Sequence, residues 1–184
     1  LMRKIFIFLF LFFLPLKVSA SVKSNIIKNI KNINNLSFNF EQNINGKIET
    51  GNCIIEYPKK IFCKYNKLNN KILVSNGKSI VIKTKSGSYY RYGITSTPLN
   101  YILDKNFLIN QIKNLEERII DDKFVNYTIL KNENEINIFF DKKSFNIIGW
   151  QTLDIYQNLN ITFLSRLKKN QILKKNTFKL PSNN

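Results

Sequence analysis

The stretch Leu36-Ser37-Phe38-Asn39-Phe40-Glu41 alternates apolar and polar side chains, and Asn45-Gly46 follows it closely. Such alternation places Leu36, Phe38 and Phe40 on one face of a strand, and Asn-Gly is a two-residue hairpin signal. The stretch therefore predicts the first strand of an antiparallel sheet with one apolar face. The same reading continues toward the C terminus. Residues 47–57 read as a second strand with Gly51 as a candidate bulge, 61–65 as a third and 71–75 as a fourth. Asn76-Gly77 is the strongest turn signal, because the turn it favours needs positive φ at both central residues. Residues 79–84 and 88–92, separated by Ser86-Gly87, complete a meander.

Ser96-Thr97-Pro98 then joins capping residues to a proline suited to the first helical position. Leu99, Ile102 and Leu103 share a helical face, and a second turn or helix is expected over 106–114. Strands resume at 119–120, 124–130, 135–140, 147–155 and 159–164, with a closing strand at 178–180. Ahead of the alternating stretch, Val22, Ile26, Ile27, Ile30 and Ile33 recur at helical spacing, which predicts a helix over 22–36. Its polar face is Lys and Asn, suited either to covering a sheet or to lying on a membrane surface.

The expected architecture is mainly β with a helical cover. Closing such a sheet buries its inner face, whereas leaving it open creates a concave apolar trough that helices can lid. Ten Phe, eight Tyr and Trp150 beyond residue 20 either line such a cavity, as an acyl chain would require, or fill an ordinary core. No linker or repeat interrupts the pattern, so residues 21–184 are expected to form a single domain.

The first twenty residues read differently. Met2-Arg3-Lys4 is a basic start, Ile5 to Leu14 is an unbroken run of Ile, Leu and Phe, and Val18-Ser19-Ala20 has the small-residue pattern of a cleavage site. The run is too short for the roughly 20 residues that span a bilayer. Residues 1–20 are therefore expected to be a signal peptide, cleaved after Ala20, which exports the chain to an oxidising space. There Cys53 and Cys63, which flank the turn at Pro58-Lys59-Lys60, form either a cross-strand disulfide or two packed thiols, depending on a register the sequence leaves open.

Composition excludes more than it identifies. The 184 residues hold no His, which removes Ser-His-Asp and Cys-His mechanisms and every His-ligated metal site. Two Cys are too few for a Cys-only zinc site. Glu116-Glu117 and Asp121-Asp122 are adjacent pairs, which point apart on a helix. No nucleotide, zinc or nucleophile-elbow motif is present. A binding protein without metal or cofactor is expected, not an enzyme. The formal charge of +17 comes from 25 Lys and only 4 Arg, beside 28 Asn and 28 Ile. All three abundant residues have AT-rich codons, so genome bias explains the charge without an anionic partner. A basic single-stranded nucleic-acid binder is the alternative from another class, and Tyr89-Tyr90-Arg91-Tyr92 is the one segment suited to it. An alternating strand in an apolar trough explains that segment equally well.

Several patterns, taken in order, resemble the periplasmic outer-membrane lipoprotein carrier (LolA) family. Phe40-Glu41-Gln42 is similar to its early Phe-x-Gln strand, and Gly51 with Tyr57-Pro58-Lys59-Lys60-Ile61-Phe62-Cys63-Lys64-Tyr65 to its Gly strand and proline turn. Ser75-Asn76-Gly77 resembles its Ser-Asp-Gly hairpin and Thr97-Pro98-Leu99 its Thr-Pro-Leu lid. Trp150-x-x-x-Asp154, with Gln157-Asn158 and the Ile161/Phe163 strand, is similar to a late pair of its strands, and Phe178-Lys179-Leu180-Pro181 to its terminal strand. The resemblance implies an unclosed antiparallel β-barrel covering a hydrophobic cavity with α-helices. It implies a periplasmic chaperone that takes acylated lipoproteins from an inner-membrane ABC release complex to an outer-membrane acceptor, acting as a monomer without nucleic acid. A periplasmic lipid- or acyl-binding sensor or acceptor domain of the same fold is the alternative.

On this resemblance the cavity wall is expected from Phe38, Phe40, Ile80 and Ile82, with Tyr90, Tyr92 and Trp150. The lid is expected from Pro98, Leu99, Ile102 and Leu103. One departure stands out: the family commonly has an Arg beside the turn proline that hydrogen-bonds the lid, and Tyr57 precedes Pro58 here. Tyr57, Lys59 and Lys60 are the candidates for that coupling, although Lys lacks the planar fork of Arg.

Overall fold

The computed structural model describes residues 21–66, 70–132, 134–153 and 157–183. The expected signal peptide and Asp154 lie outside them. The described chain begins with helix α1 (Val22–Lys31), whose Ser21 cap accepts the Ser24 N–H. Eleven strands follow: β1 (Asn35–Ile44), β2 (Lys47–Glu56), β3 (Lys60–Tyr65), β4 (Ile72–Asn76), β5 (Ser79–Lys83) and β6 (Tyr89–Gly93), then β7 (Arg118–Ile120), β8 (Phe124–Lys131), β9 (Asn134–Asp141), β10 (Ile147–Leu153) and β11 (Leu159–Lys169). Between β6 and β7 come a 3-10 turn (Ile94–Ser96), α2 (Leu99–Ile102) and α3 (Lys105–Asn114).

All strands belong to one antiparallel sheet in the order β6-β5-β4-β3-β2-β1-β11-β10-β9-β8-β7. The sheet does not close, because β6 and β7 are both edges. This is the open barrel implied by the family resemblance, and it decides between the closed and open sheets that the strand pattern allowed. Alternation decides its two faces. Val125, Tyr127 and Ile129 on β8 face inward with Ile136, Ile138 and Phe140 on β9, and all are at most 1% exposed. They share one hydrophobic cluster with Ile26 and Ile30 of α1 and Leu108 and Ile112 of α3. One half of the trough is thus packed solid.

Local details depart from the sequence expectations for identifiable reasons. Helix α1 stops at Lys31 and not near residue 36. Ile33 is buried in the connection, and Leu36 already serves the inner face of β1, so both fit a helical spacing without being helical. Asn45-Gly46 turns with positive φ at both residues, as expected. At Asn76-Gly77 only Gly77 has positive φ, because Asn76 Oδ1 accepts the N–H groups of Lys78 and Ser79 and closes an Asx-type turn.

Gly51 is not a bulge: β1 and β2 pair without interruption through it. It is glycine because a Cβ there would stand 2.2 Å from the Lys64 carbonyl oxygen and 2.7 Å from the Phe40 ring. Residues 178–180 form no strand. The tail instead crosses the outer face of β3–β6, where the Lys60 ammonium lies 5.8 Å from the Phe178 ring and Lys83 donates to the Ser182 carbonyl. On the same outer face Val74 and Val81, which point away from the trough, are buried at 1% and 0% exposure.

Candidate functional site

The other half of the trough, under β1–β6, holds a cavity of about 550 Å³. Its wall comes from the inner faces of β1–β6, with β10 and β11 contributing at one side. Phe38 and Phe40 stand on β1, Cys53 on β2, Ile61, Cys63 and Tyr65 on β3, and Ile80 and Ile82 on β5. Trp150 on β10 closes the side toward the packed half, its ring edge-on to Phe38 at 6.4 Å between centroids. Cys53 and Cys63 are direct cross-strand partners and form a disulfide in the wall, which resolves the register left open by the sequence.

The roof is the segment between the sheet halves. Thr97, Pro98, Leu99 and Ile102 line the cavity, whereas Leu103 is fully buried behind them. The turn between β2 and β3 holds this roof. The Lys59 N–H donates to the Leu103 carbonyl at 2.8 Å, and the Lys59 ammonium stands 3.8 Å from Asp104 Oδ2. Asp104 also caps α3 by accepting the Phe107 N–H at 3.0 Å. Lys59 is itself held by Ser75, whose hydroxyl donates to the Lys59 carbonyl at 2.8 Å.

Of the expected wall residues, Phe38, Phe40, Ile80, Ile82, Tyr92 and Trp150 come together, and Tyr90 does not. Both tyrosines stand on the edge strand β6; Tyr92 is at its end, next to the roof segment, whereas Tyr90 lies farther from the roof and is half exposed to solvent. Of the coupling candidates, only Lys59 meets the lid. Lys60 faces outward, pairing with Glu56 at 2.7 Å, because alternation gives the inner face to Ile61. Tyr57 is half-buried and packs on the core, and burial pushes its phenol up to about 12. Tyr89 and Arg91 point to the outer face and Tyr90 and Tyr92 to the inner, so these four do not line one groove for a nucleic acid.

The sequence reading missed Ile61, Leu73 and the polar residues Gln42, Lys71, Thr152, Asn160 and Thr162, all of which line the cavity. Gln42 was in plain phase with Phe38 and Phe40. A second hollow, about 680 Å³, is an open polar depression beside Lys31, Lys105 and Lys113, without the apolar walls of the first.

The model of the outer membrane lipoprotein carrier protein LolA family matches residues 31–181. The chain belongs to the LolA family. No curated protein matches it in sequence. Among solved structures, an uncharacterized conserved protein from Thermus thermophilus is similar at TM-score 0.51 and 7% identity, over 88% of this chain and 92% of the other. MucB is similar at TM-score 0.50 and 11% identity, over 89% of this chain and 63% of that one. A LolA superfamily protein from Nitrosomonas europaea has TM-score 0.45 and 8% identity, over 88% of this chain and 99% of the other. At such identities these likenesses concern the fold. In this member of the LolA family, the Lys59 main chain and ammonium stand where the roof meets the proline turn.

Proposed function

We propose that this LolA-family protein is an exported, periplasmic carrier that binds the acyl chains of lipoproteins in the cavity beneath α2. The observation that carries the reading is the 550 Å³ cavity, walled by Phe, Ile and Trp side chains and roofed by Leu99 and Ile102. Burying an acyl chain there is favourable by about 0.8 kcal/mol per CH₂. A roof that moves aside for the chain and returns afterwards competes with it, which moderates affinity and permits release. In this role the donor is an inner-membrane ABC release complex and the recipient an outer-membrane acceptor. The work is burial and release, with no turnover and no cofactor.

The test is to mix purified protein with inner-membrane vesicles that hold a tagged lipoprotein, and to add ATP. Soluble one-to-one complexes are the expected result. Binding of acylated peptides without release from vesicles would leave an acyl-binding protein and remove the carrier role. Replacing Leu99 with Asp should reduce uptake of an acylated peptide, and unchanged uptake would remove Leu99 from the roof's function.

A further inference from the structure

The cavity is apolar along most of its length but not at the end beside the β1–β2 hairpin. Depth can be read along the inner face of β1: Leu36, Phe38 and Phe40 are buried, while Gln42 and Ile44 are half-buried. At this rim Gln42 pairs with Glu49 on β2 and Thr162 on β11. Gln42 Nε2 donates to Asn160 Oδ1 at 3.0 Å and to Thr162 Oγ1 at 3.4 Å.

Glu49 is a carboxylate only 6% exposed. It accepts from Lys71 Nζ at 2.6 Å, with Lys47 Nζ at 3.6 Å. The Lys71 ammonium also stands 3.9 Å from the centroid of the Tyr65 ring, which meets Phe40 at 5.0 Å. Taking such charges out of water is unfavourable, and an apolar pair of the same volume would hold the fold as well. The cluster carries two ammonium groups to one carboxylate, and Lys71, Gln42 and Thr162 all line the cavity. An ammonium has three donors, so Lys71 can serve Glu49 and an additional oxygen together.

We propose that this rim is a head-group subsite, in which Lys71, with Gln42 and Thr162 beside it, binds the oxygen atoms at the head of an acyl amphiphile. The inference rests on the acyl-binding reading above and specifies the ligand: a chain that runs toward Phe38 and Ile102, ending in a carboxylate or ester carbonyl. Glu49 is a positioning residue that holds the Lys71 ammonium at the rim. Hydrogen bonds from a charged donor are roughly twice as strong as neutral ones, so the head contributes to register as well as affinity. A cationic head would meet Lys71 and Lys47 and is disfavoured.

The test is displacement of the uncharged dye Nile red by dodecanoate, methyl dodecanoate and dodecylamine at neutral pH, each below its micelle-forming concentration. Either oxygen head is expected to displace the dye at a roughly tenfold lower concentration than the amine. The better of the two identifies the source as a free acid or an ester. Glu49→Gln combined with Lys71→Met removes both charges, leaves no unpaired buried carboxylate and keeps the net charge. With each displacing concentration compared within one variant, so that any change in dye affinity cancels, this variant should lose most of the preference, and Gln42→Leu should lose part of it. A double variant that folds, binds dye and retains the full preference would overturn the subsite. If dye binds and all three heads compete alike, only the subsite falls. If neither dye nor any amphiphile binds, the acyl-binding reading falls and the subsite with it.

Discussion

The main-chain N–H of Lys59 donates to the carbonyl of Leu103 at 2.8 Å, which joins the β2–β3 turn to the end of the roof helix α2. Directly beyond it, Asp104 faces the Lys59 ammonium and caps α3. The roof is thus hinged on one side by a main-chain bond that no side-chain substitution at Lys59 removes. Asp104→Ala should lower stability by about 1 kcal/mol through the lost cap. Lys59→Met should lower it by less, because a partly exposed ion pair contributes at most about 1 kcal/mol. Urea denaturation of both variants checks the order; a larger loss in Lys59→Met would show that the cap is not the stronger tie.

Asn100 lies on the roof helix, and its Oδ1 is buried without a partner, alone in this among the described side-chain polar atoms. An unsatisfied buried acceptor costs about 1–3 kcal/mol, and that cost is relieved when the roof opens to water. Asn100→Leu should therefore stabilise the closed protein and weaken uptake of an acyl ligand. Thermal denaturation and ligand titration read the two effects together. A variant that is no more stable and binds equally well would exclude Asn100 from roof opening.

Gly51 lies under the Phe40 ring, where an added Cβ would also strike main chain at 2.2 Å. Main chain cannot swing away as a side chain can. Gly51→Ala should destabilise by about 1–3 kcal/mol, the usual range for overpacking. Because Phe40 and the Cys53–Cys63 disulfide share this wall, cavity binding should weaken as well. Gly46→Ala would meet no atom within 4 Å and is strained only by its φ of +85°, so it should leave binding intact.

Burial raises the Tyr57 phenol to about 12 from an ordinary value near 10. The unfolded chain therefore loses this proton first as pH rises. Stability from the group is fully present below about pH 10 and declines as pH climbs through 10 to 12. Tyr57→Phe should lessen the alkaline fall in stability without changing it near neutrality, and leave the part due to Tyr65 and Tyr127, whose phenols burial also raises. Urea midpoints measured from pH 8 to pH 11.5 test this, and an unchanged alkaline slope would exclude Tyr57 as its source.

Much of the fold was legible because both of its ordering signals are local. Period-two alternation at Leu36, Phe38 and Phe40 sets one face inward whatever the strand pairs with, and Asn45-Gly46 specifies its turn within four residues. The end of α1 was not legible, since Ile33 and Leu36 satisfy two patterns and only packing chooses between them. The expected strand at 178–180 failed for a related reason: the tail is held against the outer face of the sheet by Lys60 beside Phe178 and Lys83 on the Ser182 carbonyl, and no local pattern marks that face as needing cover.

By itself the sequence determined the antiparallel sheet, the helical interruption at Pro98 and the absence of histidine chemistry, since these depend on residue type and near spacing. The tertiary structure decided which residues share the cavity. Tyr90 and Tyr92 look alike in the chain and share the edge strand β6, yet only Tyr92, at the end of the strand next to the roof segment, lines the cavity. Glu49, Lys71 and Gln42 come from three separate segments, and the pairing of Cys53 with Cys63 turns on a one-residue register. Contacts between distant segments are set by how the sheet curls and where it stops, and no local pattern encodes that.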